Sequence, residues 1–302
     1  MPEGESSGDM SEKRPVAVIT DSATALPADI TSPLDLMVTP MEITFQGVTY
    51  DDGPEGVGPD GIRGDFYKML RSAKEMPRTS APRPARWLEN IKAATEQAES
   101  IVIVTLAANL SASYDSARVA AEMLQEEMPD FPITVVDSKT AAGSEALITI
   151  AAAREAKFGA SHTEVLAVTR RVTEKVRLFA YLDTLEYVWR SGRVPRIAVW
   201  ANSILKMKPL MELSGGRVIN VARPRSRAKA MDRMLTEVAK SSGALPTHFA
   251  VMHADAPDEA SSLYDRIQND FNVADIYFTQ FAPFMGAHTG PGLVGVSFWA
   301  EG

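Results

Sequence analysis

The sequence predicts a two-domain α/β protein. The N-terminal domain, residues 15–160, is a mostly parallel α/β/α sandwich, and the C-terminal domain, 161–302, is α+β with a mixed or antiparallel sheet. Three observations carry this. The length of 302 residues fits two domains at the usual ~100–200 residues each. From Val16 to about Gly159, short β-rich runs alternate with helical stretches, as in strands joined by crossover helices and covered on both faces. After Gly159 the alternation gives way to hairpin-like pairs of β runs.

Residues 1–14, MPEGESSGDMSEKR, lack the apolar stretch of a signal peptide and read as a disordered tail. VAVIT (16–20) is a buried-strand run ending in the turn-prone DSATALP. The stretch 34–50 is β-branched, interrupted by Pro40 and Gly47, and leads into the Gly- and Pro-rich DDGPEGVGPDG. Ile62, Phe66, Met69 and Leu70 share one face of a helix over 60–73. MPRTSAPRP (76–84) reads as a loop. A helix at 85–98, strand IVIVT (101–105), a helix at 112–127, strand ITVVD (133–137) and a helix at 142–157 complete the first half. In the second half a helix at 163–174 leads to strand RLFAYL (177–182) and a helical LEYVWRSG (185–192). KMKPLMEL-SGG-RVINVA (206–222) spells a hairpin around a Gly-rich turn. A helix at 226–241, strand HFAVMHA (248–254), a helix at 257–270 and two terminal β runs close the chain.

Composition narrows the chemistry. Hydrophobic residues are 45% and charged residues 23%, ordinary for a folded chain. The absence of cysteine excludes disulfides, thiolate-bound zinc, iron–sulfur clusters and cysteine nucleophiles. Four histidines (His162, His248, His253, His288), with neither D-x-D nor H-E-x-x-H, argue against a metal. No apolar run approaches the ~20 residues that span a bilayer; Ile101 to Leu110 is the longest and Asn109 breaks it. The expectation is a cytoplasmic protein that is not integral to a membrane. A net charge of −8 makes nucleic acid a poor partner for the surface as a whole. That charge is uneven. Between Arg190 and Lys229 ten basic residues stand against Glu212 alone, +9, which leaves −17 elsewhere. A segment so polarised faces either solvent or an anionic partner.

Motifs give few chemical leads alone. Gly290-Pro-Gly292-Leu-Val-Gly295 satisfies G-x-G-x-x-G, but a β pattern follows it and the chain has no room for the acid a dinucleotide needs. Ser203-Ile-Leu-Lys206 matches S-x-x-K, a pattern short enough to arise by chance. The loop at 105–114 lies at a strand's C-terminal end and opens a helix, with Ser111 or Ser113 as N-cap; free amides and the helix dipole suit an anion there. Thr79-Ser80 lies in the Pro-flanked loop, where a Ser/Thr turn is the plainer role. His288 sits between the terminal β runs, and an isolated histidine is most often a hydrogen-bonded structural residue.

Seven segments, in order and spacing, together carry a resemblance. They are ITDSATALP (19–27), PRTSAPRP (77–84), NLSASYDSA (109–117), VVDSKTA (135–141), LDTLEYVWRSGRV (182–194), ILKMKPLMEL (204–213) and AHTGPGLVGVSF (287–298). From Val16 to the C-terminus the chain resembles the DegV family of fatty-acid-binding proteins, which includes the lipid-presenting subunits of bacterial fatty acid kinase. The resemblance implies two α/β domains with a long-chain fatty acid held between them, no cofactor and no chemistry of the chain's own. It implies that Thr79 and Ser111 hydrogen-bond the ligand carboxylate, with Ser80, the Ala112 amide and His288 close by. Arg193 matches the family's glycine–arginine turn, and with Arg196 it would face the head group or a kinase ATP-binding subunit that phosphorylates the carboxylate. Where the family usually has glycines around the serine, Ala108-Asn109 and Ala112 stand here; Ser191-Gly192 precedes Arg193 where two glycines are common.

The physics of such a ligand is consistent. A carboxylate only accepts hydrogen bonds, so hydroxyls and amides at a helix start suit it. A sixteen-carbon tail contributes on the order of 10 kcal/mol at ~0.8 kcal/mol per buried CH₂, before association costs. Phe179, Met207, Phe284 and Met285 are candidates for the acyl tunnel wall. The alternative from another class is a serine hydrolase or acyltransferase using Ser111 with His288.

Overall fold

A computed structural model describes residues 13–53, 66–194 and 207–302. Ile62, Arg196, Trp200 and the Ser203/Lys206 pair lie outside the described residues.

The first sheet is built from the all-apolar runs. Strands β1 (Ala17–Asp21), β2 (Met37–Thr39), β6 (Ile101–Thr105) and β7 (Ile133–Asp137) pair in the order β2-β1-β6-β7, every pair parallel. After the short helices α1 (Ala28–Thr31) and α2 (Phe66–Ser72), the amphipathic helices α3 (Pro84–Gln97) and α4 (Ser113–Glu127) cover one face, meeting Ile19, Ile101 and Ile103 through Trp87, Ile91 and Leu124. The chain steps from β1 to β2 on one side and to β6 on the other, so the topological switch point lies between β1 and β6. In open parallel sheets that crevice, at the strands' carboxyl ends, is where ligands sit. Arg14, assigned to the tail, already belongs to this fold: its amide donates to Gln97 O (3.0 Å) and its carbonyl accepts from the Glu99 amide (3.0 Å).

The stretch 34–50 breaks where its Pro and Gly require. After Pro40 it forms β3 (Met41–Phe45), and across the tight turn at Gln46-Gly47 it returns as β4 (Val48–Asp52). β3 also pairs antiparallel with β5 (Arg78–Ser80). The Pro-rich segment 76–84, expected to be a loop, thus contributes an edge strand; its prolines flank the three paired residues rather than interrupt them.

The second sheet holds six strands in the order β10-β9-β8-β13-β11-β12. They are β8 (Arg177–Tyr181), the hairpin β9 (Leu210–Ser214) and β10 (Arg217–Ala222), β11 (Thr247–Ala254), β12 (Val273–Gln280) and β13 (Leu293–Ala300). The hairpin forms around Gly215-Gly216, both at positive φ. All pairs are antiparallel except β11–β12, joined in parallel through a crossover helix at Pro257–Asp270. The sheet is therefore mixed.

All strands of the parallel sheet precede residue 160 and all strands of the six-stranded sheet follow it. Between the sheets runs α5 (Ala142–Lys157), with 12 of 16 residues buried and no continuous polar face, as a helix packed on both sides must be. Its Gly143 has no spare room: a Cβ there would stand 2.8 Å from Met252 Cε and 3.0 Å from both Ala250 Cβ and Ser297 Oγ of the second sheet. Helix α6 (His162–Lys175), with a Ser161/Glu164 capping box, packs along α5.

The terminal β runs are separated by a helix, Pro283–Thr289, which carries His288 in its last turn. Pro283 begins it, Gly290 at φ 71 ends it, and the Phe284 amide donates to Asp52 Oδ2 (3.0 Å). The cap comes from β4, some 230 residues away, so the local sequence carries no sign of it.

Candidate functional site

One cavity of about 610 Å³ lies where these elements converge. Its wall is laid down by strand alternation: Leu178 and Ala180 of β8, with Leu182, point in, as do Met211 and Leu213 of the paired β9. The helix at Pro283–Thr289 adds Phe284 and Met285, and Leu106, Ala141 and Ala142 come from the carboxyl edge of the parallel sheet. This lining belongs to a core cluster drawn from the six-stranded sheet, the small three-stranded one and the connections that leave the parallel sheet.

Polar groups also line it, Asp115 and Glu212 among them, and Thr79, His288 and Arg193 cluster to define its polar end. Thr79, Ser111, Arg193 and His288 all line the cavity, as does Ala112 before α4. Four expected residues are thereby brought together from β5, the loop after β6, the turn after α7 (Glu186–Ser191) and the His288 helix. Thr79 Oγ1 and His288 Nε2 form a hydrogen bond of 3.0 Å across 209 residues of sequence. Burial, with Arg193 adding a smaller effect, pushes the His288 imidazole down to about 4, so it is neutral at pH 7. Its Nδ1 is buried without a partner among the described residues. A lone pair is cheaper to bury unpaired than an N–H, which favours the tautomer with the proton on Nε2, donating to Thr79. The Thr79 hydroxyl then has its own hydrogen to give.

Ser111 sits in a tight turn in which the Leu110 and Ser111 amides both donate to Ala107 O (2.9 and 3.2 Å). Neither candidate serine is the N-cap of α4, a position held by Ala112; Ser111 Oγ accepts from the Ser113 amide (3.2 Å). Ser113 points inward and donates to Asp21 Oδ2.

Several expected residues fall elsewhere. Ser80 is exposed and does not line the cavity, since its neighbour Thr79 takes the inward side of β5. Phe179 lies on the opposite face of β8 from Leu178 and Ala180, stacked on Phe298 at 6.1 Å in a separate core. Met207 packs against the edge of the central core without lining the cavity. The period of two in RLFAY already placed Phe179 opposite its neighbours; which face was the cavity needed the fold. Sequence reasoning missed Asn109 as a contact. Its Nδ2 donates to Gly216 O at the tip of the β9–β10 hairpin, whose amide donates to Lys139 O (2.6 Å). Asn109 thus ties the Ser111 loop to the β9–β10 hairpin of the second sheet.

The basic segment is partly neutralised within the fold. Asp183 pairs with Lys208 (2.8 Å) and Arg227 (2.5 Å), and these cations hold its carboxyl below the usual range despite burial. Arg193 stays exposed, its guanidinium donating to Ser191 O (2.7 Å). No group of acids and histidines among the described residues could hold a metal, and no helix among them is long and apolar enough to cross a membrane.

Two α/β layers around one apolar cavity with a polar end define a class of protein that encloses an amphipathic molecule. The chain belongs to the DegV family: the family model described as "Uncharacterised protein, DegV family" matches residues 15–301. A DegV domain-containing protein of Streptomyces coelicolor is 32% identical over 285 residues, 94% of this chain and 98% of that one. Among solved structures, the fatty-acid-binding DegV family protein of Thermus thermophilus is 25% identical, with a TM-score of 0.86 over 95% of this chain and 100% of that one. A stearic-acid-binding protein of Eubacterium ventriosum, 22% identical, shares the fold with a TM-score of 0.84 over 94% and 98% of the two chains.

Proposed function

We propose that this protein binds a long-chain fatty acid in the cavity, with its carboxylate at the Thr79–Ser111 end, and presents that carboxylate to a separate kinase subunit. The observation that carries the reading is the cavity's lining: predominantly apolar, with Thr79, Ser111, a neutral His288 and Arg193 among its polar groups, and with Glu212 paired to Arg177. Thr79, which accepts from His288 Nε2–H, keeps its own hydroxyl hydrogen to donate to an acceptor-only group. Volume agrees. At roughly 30 Å³ per water-sized group, 610 Å³ accommodates about twenty heavy atoms, the size of a sixteen- to eighteen-carbon acid. The fatty-acid-binding Thermus relative supports the ligand class. Exposed Arg193 at the polar end is the group we assign to the partner or to a phosphorylated head group.

The hydrolase reading gains no support. His288 bonds Thr79 rather than Ser111, and no acid orients its Nδ1 among the described residues.

Mass spectrometry of organic extracts from freshly purified protein tests the ligand. We expect long-chain acids near one per chain; an extract free of them, with no uptake on incubation with palmitate or oleate, overturns the reading. For presentation, Arg193→Glu is expected to retain the acid while abolishing its phosphorylation by a fatty acid kinase ATP-binding subunit. Unchanged phosphorylation rejects that assignment.

A further inference from the structure

Beneath the loop that bears Ser111 lie two carboxyl groups the cavity does not use. Asp21 ends β1 and Glu145 sits in the first turn of α5; both have 0% exposure. Asp21 Oδ1 accepts from the Ala23 amide (3.1 Å), and Oδ2 accepts from the Leu106 amide (3.0 Å) and the Ser113 hydroxyl (2.5 Å). The Glu145 carboxyl lies within hydrogen-bonding reach of Asp21, with Thr20 beside it. Neither Glu145 oxygen has a donor at normal distance among the described residues. The other charged group bearing on Glu145 is again an acid, Asp137 from β7.

Two touching carboxyls removed from water cannot both ionise, because desolvation and mutual repulsion act in the same direction. The donors decide where the charge rests. Asp21 receives three hydrogen bonds, whereas Glu145 has only the Thr20 hydroxyl beside it, so the charge belongs on Asp21 and the proton on Glu145. Burial pushes both carboxyls up, Glu145 well above the usual carboxylate range. The location matters too. Asp21 stands at the β1/β6 switch point, where an open parallel sheet would receive an external ligand. Here an internal carboxylate takes that place, gripping both ends of the Leu106–Ser113 loop, while Asp137 Oδ1 accepts from the Ala108 amide (3.1 Å) between them.

We propose that Glu145 is a neutral acid donating to the Asp21 carboxylate, and that this pair is the positioning element that holds the Leu106–Ser113 loop, and with it Ser111, at the polar end of the cavity. The positioning half rests on the fatty-acid reading; the shared proton does not.

The test uses the full chain. Infrared difference spectra at neutral pH, wild type minus Glu145→Gln, are expected to show a protonated-carboxyl C=O band that the variant lacks. Affinity is read with the fluorescent fatty acid cis-parinaric acid. Glu145→Gln, which keeps a donor toward Asp21, is expected within about twofold of wild type. Asp21→Asn, which turns an amide donor toward the Leu106 and Ser113 donors, is expected to bind about tenfold or more weakly. Wild type is expected to lose affinity at alkaline pH as Glu145 ionises, and Glu145→Gln to lack that limb. Absence of the C=O difference, or an identical alkaline limb in both proteins, overturns the proposal. If wild type takes up no parinaric acid, the fatty-acid reading fails by itself. The C=O band still tests the pair, and faster amide exchange at Leu106 in Asp21→Asn still tests its grip on the loop.

Discussion

At the scale of single residues, the site depends on a histidine whose Nε2–H donates to Thr79, so that the threonine keeps its own hydrogen to donate. Removing the hydroxyl in Thr79→Val deletes one charge-assisted hydrogen bond, worth ~1.5–3 kcal/mol, and strands His288 Nε2. Fatty-acid affinity measured by displacement titration should fall about ten- to a hundredfold, with little change in the fold. The neutral His288 also leaves a trace in stability. Its imidazole titrates at about 4 in the folded chain and near ~6.5 when unfolded, so unfolding takes up a proton between those values. Its contribution is complete above pH ~6.5 and lost as the pH falls toward 4, on the order of 3 kcal/mol in all. Urea unfolding of wild type and His288→Asn across this window should show the wild type losing more stability; parallel curves would contradict the assignment.

At the scale of elements, the His288 helix is seven residues long and too short to stand alone. Its Pro start, Gly stop and Asp52 cap fix it in place. Asp52→Ala removes the acceptor of the Phe284 amide and should cost ~1–2 kcal/mol in stability. The same change should loosen His288, seen as faster exchange of its ring environment by NMR. Helix α5 makes the opposite demand, that nothing be added. Gly143→Val would drive two methyl groups toward Met252 and Ser297, and a loss of ~1–3 kcal/mol is expected from chemical denaturation. The sequence marked α5 as a helix, yet its role between two sheets shows only in its lack of a polar face. β5 escaped notice because three residues between prolines form no periodic signal; pairing with β3 makes the strand.

At the scale of the whole molecule, the cavity is a gap in a largely apolar core, so an apolar occupant adds stability. A bound acid should therefore raise the melting temperature of delipidated protein, by about 2.7 kcal/mol of stabilisation at a hundredfold excess over Kd. Ala180 lies on the cavity wall and is buried. Ala180→Phe should fill part of the space and shift preference toward shorter acids in a chain-length series; an unchanged series would place the acyl chain elsewhere. The basic segment makes the same point about scale. Its +9 is a property of the sequence, but in the fold Asp183 pairs with Lys208 and Arg227, while exposed Arg193 lines the cavity.

The sequence by itself determined the strands and helices whose burial follows a local period: the parallel-sheet runs, the hairpin at Gly215-Gly216, the helices of the second half. The resemblance carried by its segments singled out Thr79, Ser111, Arg193 and His288, where the residues alone suggested a turn, a helix cap and a structural histidine. Only the tertiary structure decided which face of β8 is the cavity, sending Phe179 to one side and Leu178 and Ala180 to the other. It alone paired Thr79 with His288, capped the His288 helix with Asp52, and set Glu145 against Asp21. The physical reason is common to all four. Each contact joins residues far apart in the chain, and a local pattern fixes which way a side chain points relative to its neighbours but not what it meets.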